Sequence, residues 1–204
     1  MNIERINPKK PELAIIMQAV EILKKGGVVA FPTDTAYGFA VDALSEEAIG
    51  KLFIMKKRIQ KPLPVIVSSI KMLKEVAIPN EKELKIAKKY WPGPLTIIFK
   101  KKELVPPALT LGLDTIGVRI PDNKVALALI NHFGKPLTST SANITGQPNC
   151  YTAEDVERQF SEEYCQPELI LDAGELPGIP VSTVIQIVDD KVQILRQGPI
   201  KIKI

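Results

Sequence analysis

The residues of this chain that could do chemistry are three arginines and a series of hydroxyl and amide side chains. Nearly all of them stand where an apolar run ends. Arg58 belongs to Lys56-Lys57-Arg58-Ile59-Gln60-Lys61, which carries four positive groups in six residues. A helix C-terminus favours cations, yet so dense a cluster repels itself unless carboxylates or an anionic ligand gather it, and both readings stay open. Arg119 lies among β-branched neighbours in Thr115-Ile116-Gly117-Val118-Arg119-Ile120-Pro121. An arginine in an apolar strand takes a partner, either a structural acid or a ligand carboxylate. Arg196 falls where the last apolar run stops. Beside them stand Thr33, Thr35, Ser139, Ser141, Asn143, Ser182 and Thr183. Cations and hydroxyls without a strong acid or base suit a reaction driven by positioning and by neutralising phosphate charge. Phosphoryl or nucleotidyl chemistry fits that description.

Other engines are missing. The chain has no Walker loop, no Rossmann glycine fingerprint, no metal quartet and no serine–histidine triad. Its one histidine, His132, sits in the apolar pattern of a helix and reads as structural. Cys150 and Cys165 make no metal spacing and no disulfide framework is expected. At 204 residues, with 45% hydrophobic and 25% charged content, the chain can bury a substantial core. No apolar run is long enough to span a bilayer, and the N-terminus lacks a signal-peptide core, so a cytoplasmic protein without membrane contact is expected. The net charge of +4 permits nucleic acid or anionic substrates without demanding them. The lysines at 85, 88 and 89 and at 100–102 read as solvated faces.

These groups need elements to position them. Leu13, Ile16, Met17, Val20 and Leu23 recur at helical spacing, and Gly26-Gly27 stops that helix. A strand over Val28–Phe31 then delivers Pro32-Thr33-Asp34-Thr35-Ala36-Tyr37-Gly38 to a rim, with Thr33 and Asp34 open between capping and ligand contact. Ser45 caps a second helix with Ile49, Leu52 and Phe53 on its buried face. Leu63–Val67 reads as a strand in which Pro64 marks an edge or an irregular start. Asn80 and Glu83 form a capping box ahead of a helix stopped by Trp91-Pro92-Gly93-Pro94. Strands follow at Leu95–Phe99 and at Thr115–Pro121. Asp122 or Asn123 caps a helix that ends at Gly134. Five hydroxyl or amide side chains then fall in six residues, Thr138 to Asn143. A helix from Thr152, a strand over Leu169–Gly174 and a hairpin turning at Asp189-Asp190 complete the pattern. This alternation argues for a mixed α/β, α+β-like architecture: a sheet flanked by helices, with polar clusters at strand ends where such sheets place ligands.

Seven strings in order carry a resemblance across almost the whole chain. They are Phe31-Pro32-Thr33-Asp34-Thr35-Ala36-Tyr37-Gly38, Lys56-Lys57-Arg58 followed by Lys61-Pro62, Trp91-Pro92-Gly93-Pro94-Leu95-Thr96, Val118-Arg119-Ile120-Pro121, Ser139-Thr140-Ser141-Ala142-Asn143, Ser182-Thr183-Val184-Ile185 and Leu195-Arg196-Gln197-Gly198. Together they resemble the YrdC-like threonylcarbamoyl-AMP synthase family. The resemblance implies a twisted mixed sheet flanked by helices around a concave, positively charged cavity. It implies an enzyme, a nucleotidyltransferase, that makes threonylcarbamoyl-adenylate from L-threonine, bicarbonate and ATP. Pyrophosphate is released, and a partner transfer complex then modifies tRNA to threonylcarbamoyladenosine.

The resemblance also implies roles, residue by residue. Thr35, Arg119, Ser141 and Ser182 match L-threonine contacts, Arg119 as the carboxylate clamp. Lys56, Arg58, Lys61, Thr115, Asn143 and Arg196 match ATP contacts. Mg²⁺ would come with the ATP, held mostly by its phosphates, with no protein metal site. Two departures stand out. The Arg58–Pro62 loop is a residue shorter than in many relatives, with lysine before its proline, and the next strand has Val65, Ile66 and Val67 where some relatives place a histidine. The chain ends soon after Arg196, so residues 1–204 are expected to form a single YrdC-like domain of the short type. Two other functions compete: a non-catalytic module of the same fold binding tRNA or double-stranded RNA, and carbamoyl-type hydrolysis on a related scaffold.

Overall fold

The computed structural model describes residues 1–57 and 61–202. In chain order it opens with β1 (Asn2–Arg5), α1 (Leu13–Lys24), β2 (Val29–Phe31), β3 (Gly38–Ala40), α2 (Glu46–Met55), β4 (Val65–Ile66), α3 (Ile70–Val76) and β5 (Ala77–Ile78). There follow α4 (Glu81–Tyr90), β6 (Leu95–Lys101), α5 (Pro107–Thr110), β7 (Thr115–Arg119) and α6 (Lys124–Phe133). The last elements are β8 (Leu137–Thr138), β9 (Thr140–Ser141), α7 (Ala153–Phe160), β10 (Leu169–Asp172), β11 (Thr183–Val188) and β12 (Lys191–Arg196).

The helix ends follow local chemistry. Ser45 accepts from the Ala48 amide and Ser69 from that of Met72, while Asn80–Glu83 and Thr152–Asp155 form full capping boxes. Of the two candidates before α6, Asn123 is the cap, accepting from the Ala126 amide at 3.0 Å. At Asp189 and Asp190 the backbone takes φ of 48° and 58°, the left-handed geometry that lets a two-residue turn match the twist of β11 and β12.

The expected mixed sheet is two mixed sheets. One runs β1-β10-β2-β3-β9 and the other β12-β11-β6-β7-β4-β8, with β5 beside β6. The β4 strand lies inside the second sheet, parallel to β7 and antiparallel to β8. Pro64 therefore marks an irregular start and not an edge; it lies before the paired residues, so its missing N–H breaks no rung. The β1 strand has no expected counterpart. Its residues alternate weakly and are mostly exposed, but they pair in register with Leu169–Asp172 of β10.

The two sheets meet where the chain passes from β8 to β9. Leu137–Thr138 pairs in the second sheet and Thr140–Ser141 in the first, so Ser139 sits at the crossing. A bridge between Asp42 and Leu137 and a bond from the Val41 amide to Thr138 Oγ1 at 3.0 Å tie the same seam. Val29 and Phe31 of β2 pack on α1 and α6 while Ala30 faces the main core, and in β10 Leu169 and Leu171 split from Ile170 in the same way. Strands covered on both faces read as continuous apolar runs, which is how β2 and β10 look in the sequence.

Because Asp190 occupies left-handed backbone, Asp190→Gly should stabilise the β11–β12 hairpin and raise the unfolding free energy by roughly 0.5–1 kcal/mol, read by urea denaturation.

Candidate functional site

At the crossing, three loops and two strand ends converge. The residues after β2 are held by their own polar groups. Thr33 Oγ1 donates to the Ala36 carbonyl at 2.7 Å and accepts from the Thr35 amide at 3.1 Å. Thr33 is thus a turn residue, as hydroxyls after a strand often are. Thr35 is buried, its hydroxyl 3.1 Å from that of Thr33. Tyr37 anchors the far end. Its phenol donates to the Gly174 carbonyl at 2.9 Å and accepts from the Ala173 amide at 2.9 Å, and burial pushes its pKa up. Gly38 pairs with Ser141 so closely that a Cβ would lie 3.2 Å from the Thr140 carbonyl oxygen. A glycine there keeps β9 against β3.

The Ser141–Asn143 turn is locked from below by Lys56. Its ammonium, 1% exposed, donates to the Ser141 carbonyl, to the Asn143 carbonyl at 2.6 Å and to Asn143 Oδ1 at 3.4 Å. It also stands 5.5 Å from the centre of the Phe39 ring. Asn143 is similarly engaged: its amide nitrogen donates to Ile144 and Gln147 carbonyls, and the Ser141 hydroxyl donates to its Oδ1 at 2.5 Å. Lys56 and Asn143, which the resemblance assigns to ATP, brace the turn that presents Ser141.

Arg119 ends β7 beside the β2 loop. Its guanidinium reaches Asp34 Oδ1 at 3.1 Å, with side-chain exposures of 6% and 9%. Burial pulls the Arg119 pKa below its ordinary value, opposed by the Asp34 charge. Arg196, at the end of β12, is fixed by Ser182: its Nε donates to the Ser182 carbonyl at 3.0 Å and its Nη2 to the hydroxyl at 3.1 Å. Partial burial and the like charge of Arg119 lower the Arg196 pKa too. The two guanidiniums therefore feel each other across the site, which an anion between them would relieve.

These groups line a cavity of about 130 Å³ that brings together Thr35, Arg119, Ser141 and Ser182, with Ser139 and Arg196. A second cavity of about 470 Å³ adjoins it, sharing Pro64, Thr96 and Arg196. Lys61 and Thr115 line the second, over a floor that includes Leu63, Ile98 and Ile116. Lys56 and Asn143 line neither, and Arg58 lies outside the described residues. His132 is exposed on the last turn of α6 and lines neither cavity.

Thr96 and Thr110 are lining residues with no role assigned from the sequence. Thr96 bonds Ser182 at 2.8 Å and is legible only as a residue of the Leu95–Phe99 strand and the last of the third ordered string. Thr110 Oγ1 is buried at the second cavity with no hydrogen-bond partner among the described residues, and nothing in the sequence signals it. Among the described residues no three His, Cys, Asp or Glu side chains are grouped to hold a metal, and no helix is long and apolar enough to cross a membrane.

The Sua5/YciO/YrdC family model, described as telomere recombination, matches residues 21–198. The chain belongs to this family. It is 40% identical over 183 residues to the threonylcarbamoyl-AMP synthase of Pyrococcus abyssi, which covers 88% of this chain and 53% of that protein. It is 36% identical to that of Bacillus subtilis, over 97% of this chain and 56% of that one. Among solved structures, P. abyssi Sua5 complexed with L-threonine superposes with a TM-score of 0.90 at 36% identity, covering 97% of this chain and 58% of that chain. The chain thus spans somewhat over half the length of these family members.

Replacing Lys56 by the similarly sized, uncharged Met would take the ammonium donor from the buried Asn143 carbonyl and leave the Ser141 carbonyl with the Asn143 amide alone. Lys56→Met should cost about 3 kcal/mol in denaturant unfolding and make the 141–147 turn the earliest site of limited proteolysis.

Proposed function

We propose that this chain is a threonylcarbamoyl-AMP synthase, a nucleotidyltransferase that joins L-threonine, bicarbonate and ATP into threonylcarbamoyl-adenylate and releases pyrophosphate. The observation that carries the reading is the small cavity in which the Arg119 guanidinium and the hydroxyls of Thr35, Ser141 and Ser182 converge. A guanidinium suits the carboxylate of an amino acid, and hydroxyls suit its polar atoms without drawing off its reactivity. Further support comes from the relatives named threonylcarbamoyl-AMP synthase and from the neighbour solved with L-threonine.

In this reading the adjoining cavity takes ATP. Its apolar floor suits a base, and Lys61, Thr115 and Arg196 stand at its lining. Arg58 serves the phosphates as the family motif implies, and Arg196, shared by both cavities, sits where the two substrates meet. Lys56 and Asn143 act through the turn they brace. Mg²⁺ carried by the ATP phosphates would offset their charge, and the protein's own groups orient the reactants. The reaction needs the threonine amine carboxylated and the resulting carbamate brought in line with the α-phosphate. Positioning and charge neutralisation are what this set of side chains offers. The product would pass to a transfer complex that modifies tRNA.

Pyrophosphate release from ATP should require both L-threonine and bicarbonate; salt-sensitive RNA binding without any such release would favour the RNA-binding module. Arg119→Ala should raise the KM for threonine by about 30-fold or more, the cost of leaving a buried carboxylate without its partner, with a smaller change in the KM for ATP. Arg58→Ala should show the opposite split.

A further inference from the structure

Asp34 turns a buried carboxylate onto the cavity's arginine, and the substrate roles above leave it without a task. Resting on that reading of the site, we propose that Asp34 is an internal carboxylate that stands in for the substrate's carboxylate on Arg119, and so sets how tightly the cavity holds an amino acid.

The geometry of the pair leads to this reading. Asp34 Oδ1 approaches Arg119 Nη1 at 3.1 Å, yet both carboxylate oxygens and Nη1 lack an aligned hydrogen bond among the described residues. A buried ion pair built for stability aligns its donors and acceptors, because desolvation is repaid only by good geometry. This pair has opposite charges in contact without that alignment. The guanidinium is neutralised, while Nη1 keeps an unused hydrogen-bond donor on an arginine that lines the cavity.

The surroundings explain why a stand-in is needed. Arg119 is almost fully desolvated, and Arg196 adds a like charge nearby. Without an anion, the guanidinium would be driven away from the site. Asp34 is supplied by the same turn that presents Thr35, a turn whose shape is set by Thr33 and not by Asp34 itself. Its side chain is therefore free of any turn bond that would fix it, and it can yield when another carboxylate arrives. The internal acid costs affinity, since an incoming carboxylate meets a charge already offset. It keeps the empty site assembled in exchange. Asp34 is a positioning residue, acting through Arg119.

The test compares L-threonine binding by isothermal calorimetry and thermal shift in wild type, Asp34→Asn and Asp34→Glu. Asp34→Asn removes the competing charge at nearly constant shape. It should unfold at a lower temperature without ligand, bind threonine about fivefold or more tightly, and gain more in unfolding temperature from saturating threonine than wild type does. Asp34→Glu, which keeps the charge, should bind threonine within about twofold of wild type. If wild type binds threonine and Asp34→Asn binds it equally or more weakly, the stand-in role is overturned while the site reading survives. If wild type shows no threonine binding, both fall. Should Asp34→Asn fail to fold alone, recovery of a folded chain by saturating threonine supports the role. Failure to fold with threonine present, while Asp34→Glu folds and binds, overturns it by making Asp34 purely structural.

Discussion

The site is organised by the burial of one positive charge. Arg119 ends a central strand of the second sheet, where the β2 loop of the first sheet closes over it. Desolvating a guanidinium costs several kcal/mol unless the protein answers the charge, and the answer comes from a segment 85 residues earlier in the chain. That requirement binds the two sheets together functionally as the β8–β9 crossing does structurally. A cavity with a charged, poorly hydrated donor in its wall is then unavoidable.

Lys56 shows the other way of burying a cation. Its ammonium is met by neutral oxygens of a single turn and by the face of Phe39, with hydrogen bonds to Asn143 at 2.6 and 3.4 Å. It behaves as a fastener, whereas Arg119, paired but not aligned, keeps capacity for a ligand. The contrast follows from donor geometry. A compact ammonium can be surrounded by carbonyls of one turn, while a planar fork asks for a two-oxygen acceptor along a defined direction. The Ser182–Arg196 contact adds a third arrangement, a guanidinium held along its Nε–Nη2 edge on an arginine that lines both cavities.

Much of this was legible in the chain. Apolar periodicity and caps located α1, α2, α4, α6 and α7, because those signals are local: Asn80 and Glu83 lie three residues apart and satisfy each other's amides wherever the helix is placed. The hairpin at Asp189-Asp190 was legible for the same reason. By contrast β1 and β5 were not, since two- to four-residue strands with exposed faces owe their existence to a partner strand. The position of β4 was left open because Pro64 excludes a ladder bond at one residue and says nothing about how many neighbours the next two acquire.

The amino-acid sequence by itself determined which groups would be polar at strand ends, and its seven ordered strings determined the family. Both depend on residue type and spacing along the chain. Tertiary structure decided what each group faces. It placed Thr35, Arg119, Ser141 and Ser182 around one cavity, turned Lys56 and Asn143 inward as braces, made Thr33 a turn residue, and gave Arg119 the partner that the chain had left open between an acid and a ligand. The reason is physical: a cation's role is set by which acceptors reach it and how dry the space is. Those acceptors lie about 85 residues away for both Lys56 and Arg119, a separation that no local pattern encodes.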